Sequence, residues 1–223
     1  MKAQLLGDTL YFHQLLKGKK LKALRTDFEH FPMRSVLDLG VGEGGALVRL
    51  YYAFGTSHVE GVESASKETI IRLMGIRRRE KGKEPPRCIE DVFSFQWHEQ
   101  TDIRPVIPSN EMGEFMKNVQ FECGAQDYRP QRLSYDVVLC SQMLHYMANT
   151  ADVNIVLSLM RWLVHPNSLV YLSVKDGIPL NFGAIAPYVL LPLCAEFARS
   201  QGLTYYRGKQ TETQGCAHIF TNL

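Results

Sequence analysis

Long apolar runs are missing from the 223-residue sequence, where no stretch approaches the roughly 20 residues that a bilayer-crossing helix requires. The first residues have neither the basic nor the apolar segment of a secretory signal. No membrane partner is therefore expected, and an intracellular site, nucleus or cytoplasm, is. Cysteine is scarce and scattered. Cys88, Cys123, Cys140, Cys194 and Cys216 form no closely spaced pair of the kind that holds zinc, and an odd, dispersed set argues against a disulfide framework. They read as reduced thiols, mostly in the core, and no metal is expected. An excess of one charge is lacking too: the formal net charge of +2 is too mild to establish a nucleic-acid partner. Internal repeats and low-complexity tracts are also missing.

What is present reads as one domain over 1–223, with 45% hydrophobic and 22% charged residues. Leu10, Phe12, Leu15, Leu16, Leu21 and Leu24 recur at helical spacing and predict an amphipathic helix over 8–24. A short apolar run predicts a first strand over 34–39, followed by a helix over 44–54. A second strand over 58–62, closed by Glu63, leads to a helix over 66–79 capped by Ser64 or Ser66. The next segment, about 82–117, carries Pro85, Pro86, Pro105 and Pro108 and reads as an irregular insertion over the active face of the sheet. Strands are then predicted over 119–123, 135–140, 168–174, 203–207 and 216–221, and helices over 152–163 and 187–201. Alternating strands and helices imply an α/β fold whose mostly parallel sheet is covered on both faces. Two strands after the last helix add an antiparallel C-terminal hairpin. That ending resembles the sheet of Rossmann-like class I methyltransferases more than a purely parallel dinucleotide-binding one, and a seven-stranded sheet of that kind is the expected architecture.

Two clusters are strongly basic, 17–22 and 77–83. Each fits either a solvated helix end or a phosphate-contacting patch.

The most informative segment is Val36-Leu37-Asp38-Leu39-Gly40-Val41-Gly42-Glu43-Gly44-Gly45. A ligand at the carboxyl end of the first strand meets the chain where it turns into a helix. Side chains at Gly40, Gly42 and Gly44 would block that approach or forbid the backbone angles. A dinucleotide site would set a pyrophosphate on the helix N-terminus, but here the acidic Asp38 stands beside it. A carboxylate there suits the sulfonium and ammonium of S-adenosylmethionine and disfavours phosphate. Glu63, about 20 residues further on, is placed to accept both ribose hydroxyls, or serves as a helix cap or solvated acid. Gln126 or Asp127, after the third strand, would supply an adenine contact.

The run Tyr135-Asp136-Val137-Val138-Leu139-Cys140-Ser141-Gln142-Met143-Leu144-His145-Tyr146 opens on an aromatic-Asp pair and closes on His-Tyr. It resembles the fourth motif of messenger-RNA cap guanine-N7 methyltransferases. Residues 36–45 resemble that family's Val-Leu-Asp-Leu-Gly-Cys-Gly-Lys-Gly-Gly loop. The Tyr188–Leu193 run, with Phe197, Gly202 and Leu203, resembles its late helix and the strand after it, and Leu10–His13 its early helix. The resemblance implies S-adenosylmethionine as cofactor, bound by Asp38, Gly40, Gly42, Gly44, Glu63, Gln126, Asp127, Ser141 and Gln142. It implies RNA, with the guanine N7 of a capped 5′ end, as acceptor, positioned by His145 and Tyr146 with no side chain as general base. The chain departs from the family at Glu43 (its Lys), Val41 (its Cys), Gln142 (its aromatic), Ala186 (its guanine-binding Glu) and Gly215 (its Tyr).

Three functions are therefore open. The first is an RNA methyltransferase. The second is a degenerate scaffold or regulator with a protein partner in an RNA-processing or ribonucleoprotein assembly. The third is a small-molecule or protein methyltransferase, which would also explain the lost guanine contacts.

Overall fold

The computed structural model describes residues 33–100, 109–141, 143–174, 185, 187–201, 204–207 and 216–221. The predicted helix over 8–24 lies outside them. All five residues of β1 (Ser35–Leu39) are buried, as a strand covered on both faces must be. From it the chain runs through α1 (Gly45–Phe54), β2 (His58–Glu63), α2 (Lys67–Glu80), α3 (Ile89–Gln100) and α4 (Ser109–Met116) to β3 (Val119–Phe121). It continues through β4 (Tyr135–Ser141), a short 3-10 turn (Leu144–Tyr146), α5 (Thr150–Leu163), β5 (Val164–Val174), α6 (Pro187–Ser200), β6 (Thr204–Arg207) and β7 (Cys216–Thr221).

These strands form one seven-stranded sheet in the order β3-β2-β1-β4-β5-β7-β6. Parallel pairing joins β3 to β2, β2 to β1, β1 to β4 and β4 to β5, while β7 lies antiparallel between β5 and β6. The predicted C-terminal hairpin is there, with β6 outermost. The chain steps outward from β1 to β3 and then returns to β4. The carboxyl ends of β1 and β4 therefore form the crevice at which open α/β sheets bind ligands.

Alternation along the strands sorts the core into two layers. Val36, Leu47, Val59, Phe93, Phe115 and Val137 belong to one, and Leu37, Leu39, Val138, Val153, Met160 and Leu190 to the other. Asp136 pins the start of β1 to β4: its Oδ2 accepts the backbone N–H groups of Arg34 at 2.8 Å and Ser35 at 2.9 Å. Ser66 caps α2, its Oγ accepting from Thr69 N at 3.2 Å, and Asn149 caps α5, its Oδ1 accepting from Asp152 N at 3.0 Å.

The segment read as an irregular insertion is corrected by the structure, which places α3 and α4 within it. Ile89, Val92 and Phe93 of α3 and Met112, Phe115 and Met116 of α4 are buried in the layer that also holds α1. Phe93 meets Phe115 edge-on at 6.0 Å between ring centroids. Pro85 and Pro86 precede α3 and leave its interior alone.

Candidate active site

The turn after β1 passes through three left-handed glycines, Gly40 (φ 98°), Gly42 (φ 54°) and Gly44 (φ 75°). Each has its own reason to lack a side chain. A Cβ on Gly40 would stand 2.8 Å from Met143 Cγ, and one on Gly44 would stand 2.2 Å from Phe93 Cε1. A Cβ on Gly42 would meet nothing within 4 Å, so its backbone angle and the open cavity beside it are the constraints there. The turn is held to β2 by Gly40 N and Val41 N, which donate to Val62 O at 2.9 and 3.1 Å.

A cavity of about 690 Å³ opens at this turn, walled by Gly40, Gly42, Glu63, Gln126, Met143 and Tyr146 among others. That volume is in the range of small-molecule sites. Asp38, two residues before Gly40, stands behind the turn and is not among the lining residues; it is only 3% exposed, and its Oδ1 is buried without a hydrogen-bond partner. Burial, and then the charge of Glu63, push its carboxyl well above the usual carboxylate range. A lone buried carboxylate is costly, and a cation beside it would relieve the cost.

Glu63 ties the end of β2 to the glycine turn. Its Oε2 accepts the Gly42 N–H at 2.7 Å, and its Oε1 accepts the Ala65 N–H at 2.9 Å. Oε1 also accepts the Ser64 hydroxyl at 3.3 Å, so it is Oε2 that keeps a second lone pair on which a hydroxyl can still be bound. Gln126 also lines the cavity, whereas Asp127 is exposed and not among its walls; Gln126 Nε2 donates to Asp127 Oδ2 at 3.0 Å. This loop is braced from behind by Glu60, which is fully buried. Glu60 Oε2 accepts from Tyr128 Oη at 2.8 Å and Gln131 N at 3.0 Å, and Oε1 meets His58 Nε2 at 2.5 Å. Burial of Glu60 favours its protonated form, but the bonds from Gln131, His58, Tyr135 and Tyr128 prevail and lower its pKa.

The His-Tyr pair is split. Tyr146 is 68% exposed and lines the cavity, whereas His145 is 1% exposed and is not among the lining residues. Successive residues of a 3-10 turn are about 120° apart, which sends neighbours in different directions. The two rings still touch, with centroids 4.0 Å apart. Ser141 ends β4 at the same edge of the sheet, while Gln142, Ala186 and Gly215 lie outside the described residues. Of the cysteines, Cys140 and Cys194 are buried, and Cys88 and Cys123 half-buried.

Sequence reasoning missed a pairing across the glycine turn. Arg77 of α2 forms an ion pair with Glu43, and Gln96 Nε2 of α3 donates to Glu43 Oε2 at 2.8 Å. Glu43 and Arg77 both line the cavity. The next member of that basic cluster is also engaged within the chain: Arg78 stacks on Phe95 at 3.6 Å and donates to Glu84 O at 2.6 Å. Among the described residues no group of three metal-ligating side chains is assembled, and no helix is long and apolar enough to cross a membrane.

No family model matches the chain, and no curated protein does. Solved structures do. The chain is similar to the methyltransferase domain of bacterial CtHen1, with a TM-score of 0.52 and 15% identity over 91% of this chain and 97% of that domain. It is also similar to the N-methyltransferase NodS from Bradyrhizobium japonicum WM9 in complex with S-adenosyl-l-homocysteine. That match has a TM-score of 0.54 and 12% identity over 94% of this chain and 85% of NodS. With its strand order and antiparallel final strand, the chain has the Rossmann-like class I methyltransferase fold.

Proposed function

We propose that the cavity binds S-adenosylmethionine and that the chain is a methyltransferase using it. The observation that carries this reading is the buried Asp38 carboxylate, with an unpartnered oxygen, at a turn of three left-handed glycines. A phosphate-bearing cofactor would meet Asp38 and Glu63 as like charges, whereas a cationic one relieves them. Bound here, S-adenosylmethionine supplies a methyl group on a positively charged sulfur. Asp38 faces the cationic end of the cofactor, Glu63 accepts its ribose hydroxyls and Gln126 contacts its adenine. Glu43, where the resembled family has Lys, adds no net charge at the loop because Arg77 pairs with it.

For the acceptor we propose RNA, with the guanine N7 of a capped 5′ end as the first atom to test. The support is the resemblance over residues 135–146, together with Tyr146, whose ring is offered at the cavity for a base to stack on. His145 packs against that ring from the protein side and positions it. No general base is needed when a ring nitrogen presents its own lone pair, so the residues act by alignment. Incubation with methyl-labelled S-adenosylmethionine and capped or uncapped RNA tests the proposal. Label in capped RNA alone supports the guanine reading, and label in both supports RNA with a different acceptor atom. No label in either, with cofactor bound, refutes the RNA acceptor.

A further inference from the structure

We infer that Arg77 is the residue that recognises the amino-acid carboxylate of the cofactor, since the charged side chain that the glycine turn itself offers to the cavity, Glu43, would repel it. The inference rests on the S-adenosylmethionine reading and adds a specificity determinant to it. The cofactor's amino-acid end bears an ammonium and a carboxylate. The acids Asp38 and Glu63 suit its positive groups and repel the negative one. Among the described residues that line the cavity, the charged side chains are Glu43, Glu63, Asp152 and Arg77, and Arg77 is the sole cation.

Its placement is built from several elements. Ile70, Leu73 and Arg77 line the cavity at the i, i+3, i+7 spacing of one face of α2. Glu43 holds the guanidinium at the glycine turn, and Gln96 fixes Glu43 in turn. Although the Arg77 side chain is 56% exposed, it is anchored at the turn. A guanidinium has five N–H donors in a planar fork, more than one carboxylate can use, so Glu43 and a ligand carboxylate can share it. The rival for this role is the start of α1, where Gly44 supplies no side-chain cap.

The test compares S-adenosylmethionine with decarboxylated S-adenosylmethionine by calorimetry, on the full chain and on Arg77→Met and Arg77→Lys. Arg77→Met weakens S-adenosylmethionine about tenfold, the scale of one charge-assisted contact at a partly exposed site, whereas the decarboxylated ligand binds as well as before or more tightly, because the Glu43 carboxylate that the change bares attracts its positive groups. Arg77→Lys recovers part of the loss, because a point charge cannot reproduce the fork. Equal weakening of both ligands, or of neither, overturns the inference and hands the carboxylate to the backbone amides of α1. Failure of the unmodified chain to bind either ligand instead overturns the cofactor reading itself. Melting of the unliganded variants confirms that the fold is intact.

Discussion

Gly44 and Gly42 make a matched pair of perturbations in one turn, because both are left-handed and only one is crowded. In Gly44→Ala the new Cβ stands 2.2, 2.4 and 2.6 Å from Phe93 Cε1, Cδ1 and Cζ, all well inside van der Waals contact. Phe93 is fully buried and packs on Phe115, so its ring has little room to retreat. Overpacking of this kind costs about 1–3 kcal/mol, and a left-handed alanine about 1–2 kcal/mol more, for a total of about 2–5 kcal/mol. In Gly42→Ala the Cβ meets nothing within 4 Å, and only the backbone cost of about 1–2 kcal/mol applies. At about 2–4 °C per kcal/mol for a domain of this size, Gly44→Ala lowers the melting temperature by about 5–15 °C and Gly42→Ala by only a few degrees. Urea unfolding measures the free energies directly. Combining Gly44→Ala with Phe93→Leu recovers part of the steric share, a coupling that Gly42→Ala does not show. Equal losses for the two alanines, or no coupling to Phe93, would refute the assignment of Gly44 to packing and Gly42 to the cavity.

The other expectations concern charge and the acceptor. Glu60→Gln leaves buried partners imperfectly matched and costs about 2–3 kcal/mol in urea unfolding, bonds to a charged acceptor being the stronger kind. Because the folded pKa of Glu60 is lowered, its contribution is full above the ordinary carboxylate range and is lost as pH falls through the folded value; unfolding curves across acid pH, with Glu60→Gln lacking that slope, check it. Asp38 has the opposite sign. Its raised pKa gives stability that is present below the ordinary carboxylate value and lost as pH rises through the folded one, so a cationic ligand binds more tightly as pH rises and releases a proton; calorimetry in two buffers of different ionisation enthalpy reads that proton. Tyr146→Ala lowers methyl transfer to an RNA acceptor roughly tenfold or more, one base–aromatic stack, while S-adenosylmethionine affinity changes little; steady-state kinetics with labelled cofactor separate the two.

The sheet was legible in the sequence because its signals are local. A run such as Ser35–Leu39, buried throughout, announces a covered parallel strand, and Ser66 announces the helix it caps. The hairpin of β6 and β7 followed from two strand patterns with no helix between them. The glycines were legible through their backbone angles, and the structure adds that Phe93 and Met143 enforce two of them. Residues 89–100 and 109–116 were misread because four prolines over 85–108 outweighed the short apolar spacing of Ile89, Val92 and Phe93. That spacing becomes decisive only when α4 and the sheet are there to bury it. Asp38 and Glu63 were found at the turn, but the bond from Gly42 N to Glu63 joins residues 21 apart and has no local pattern. The Glu43–Arg77 pair is hidden for the same reason, since its members stand on different elements far apart in the chain. A His-Tyr dipeptide could not reveal that a 3-10 turn buries one ring and exposes the other.

The central claim is that a buried, unpartnered carboxylate at this glycine turn is kept for a cationic cofactor. Calorimetric titration of S-adenosylmethionine into the chain and into Asp38→Asn tests it most directly. The expected result is saturable, one-to-one binding by the unmodified chain, with proton release. In Asp38→Asn binding is weakened at least about tenfold, no proton is released, and the fold is as stable as before, because no buried carboxyl is left to ionise. No binding at millimolar ligand, or equal affinity in Asp38→Asn, would contradict it.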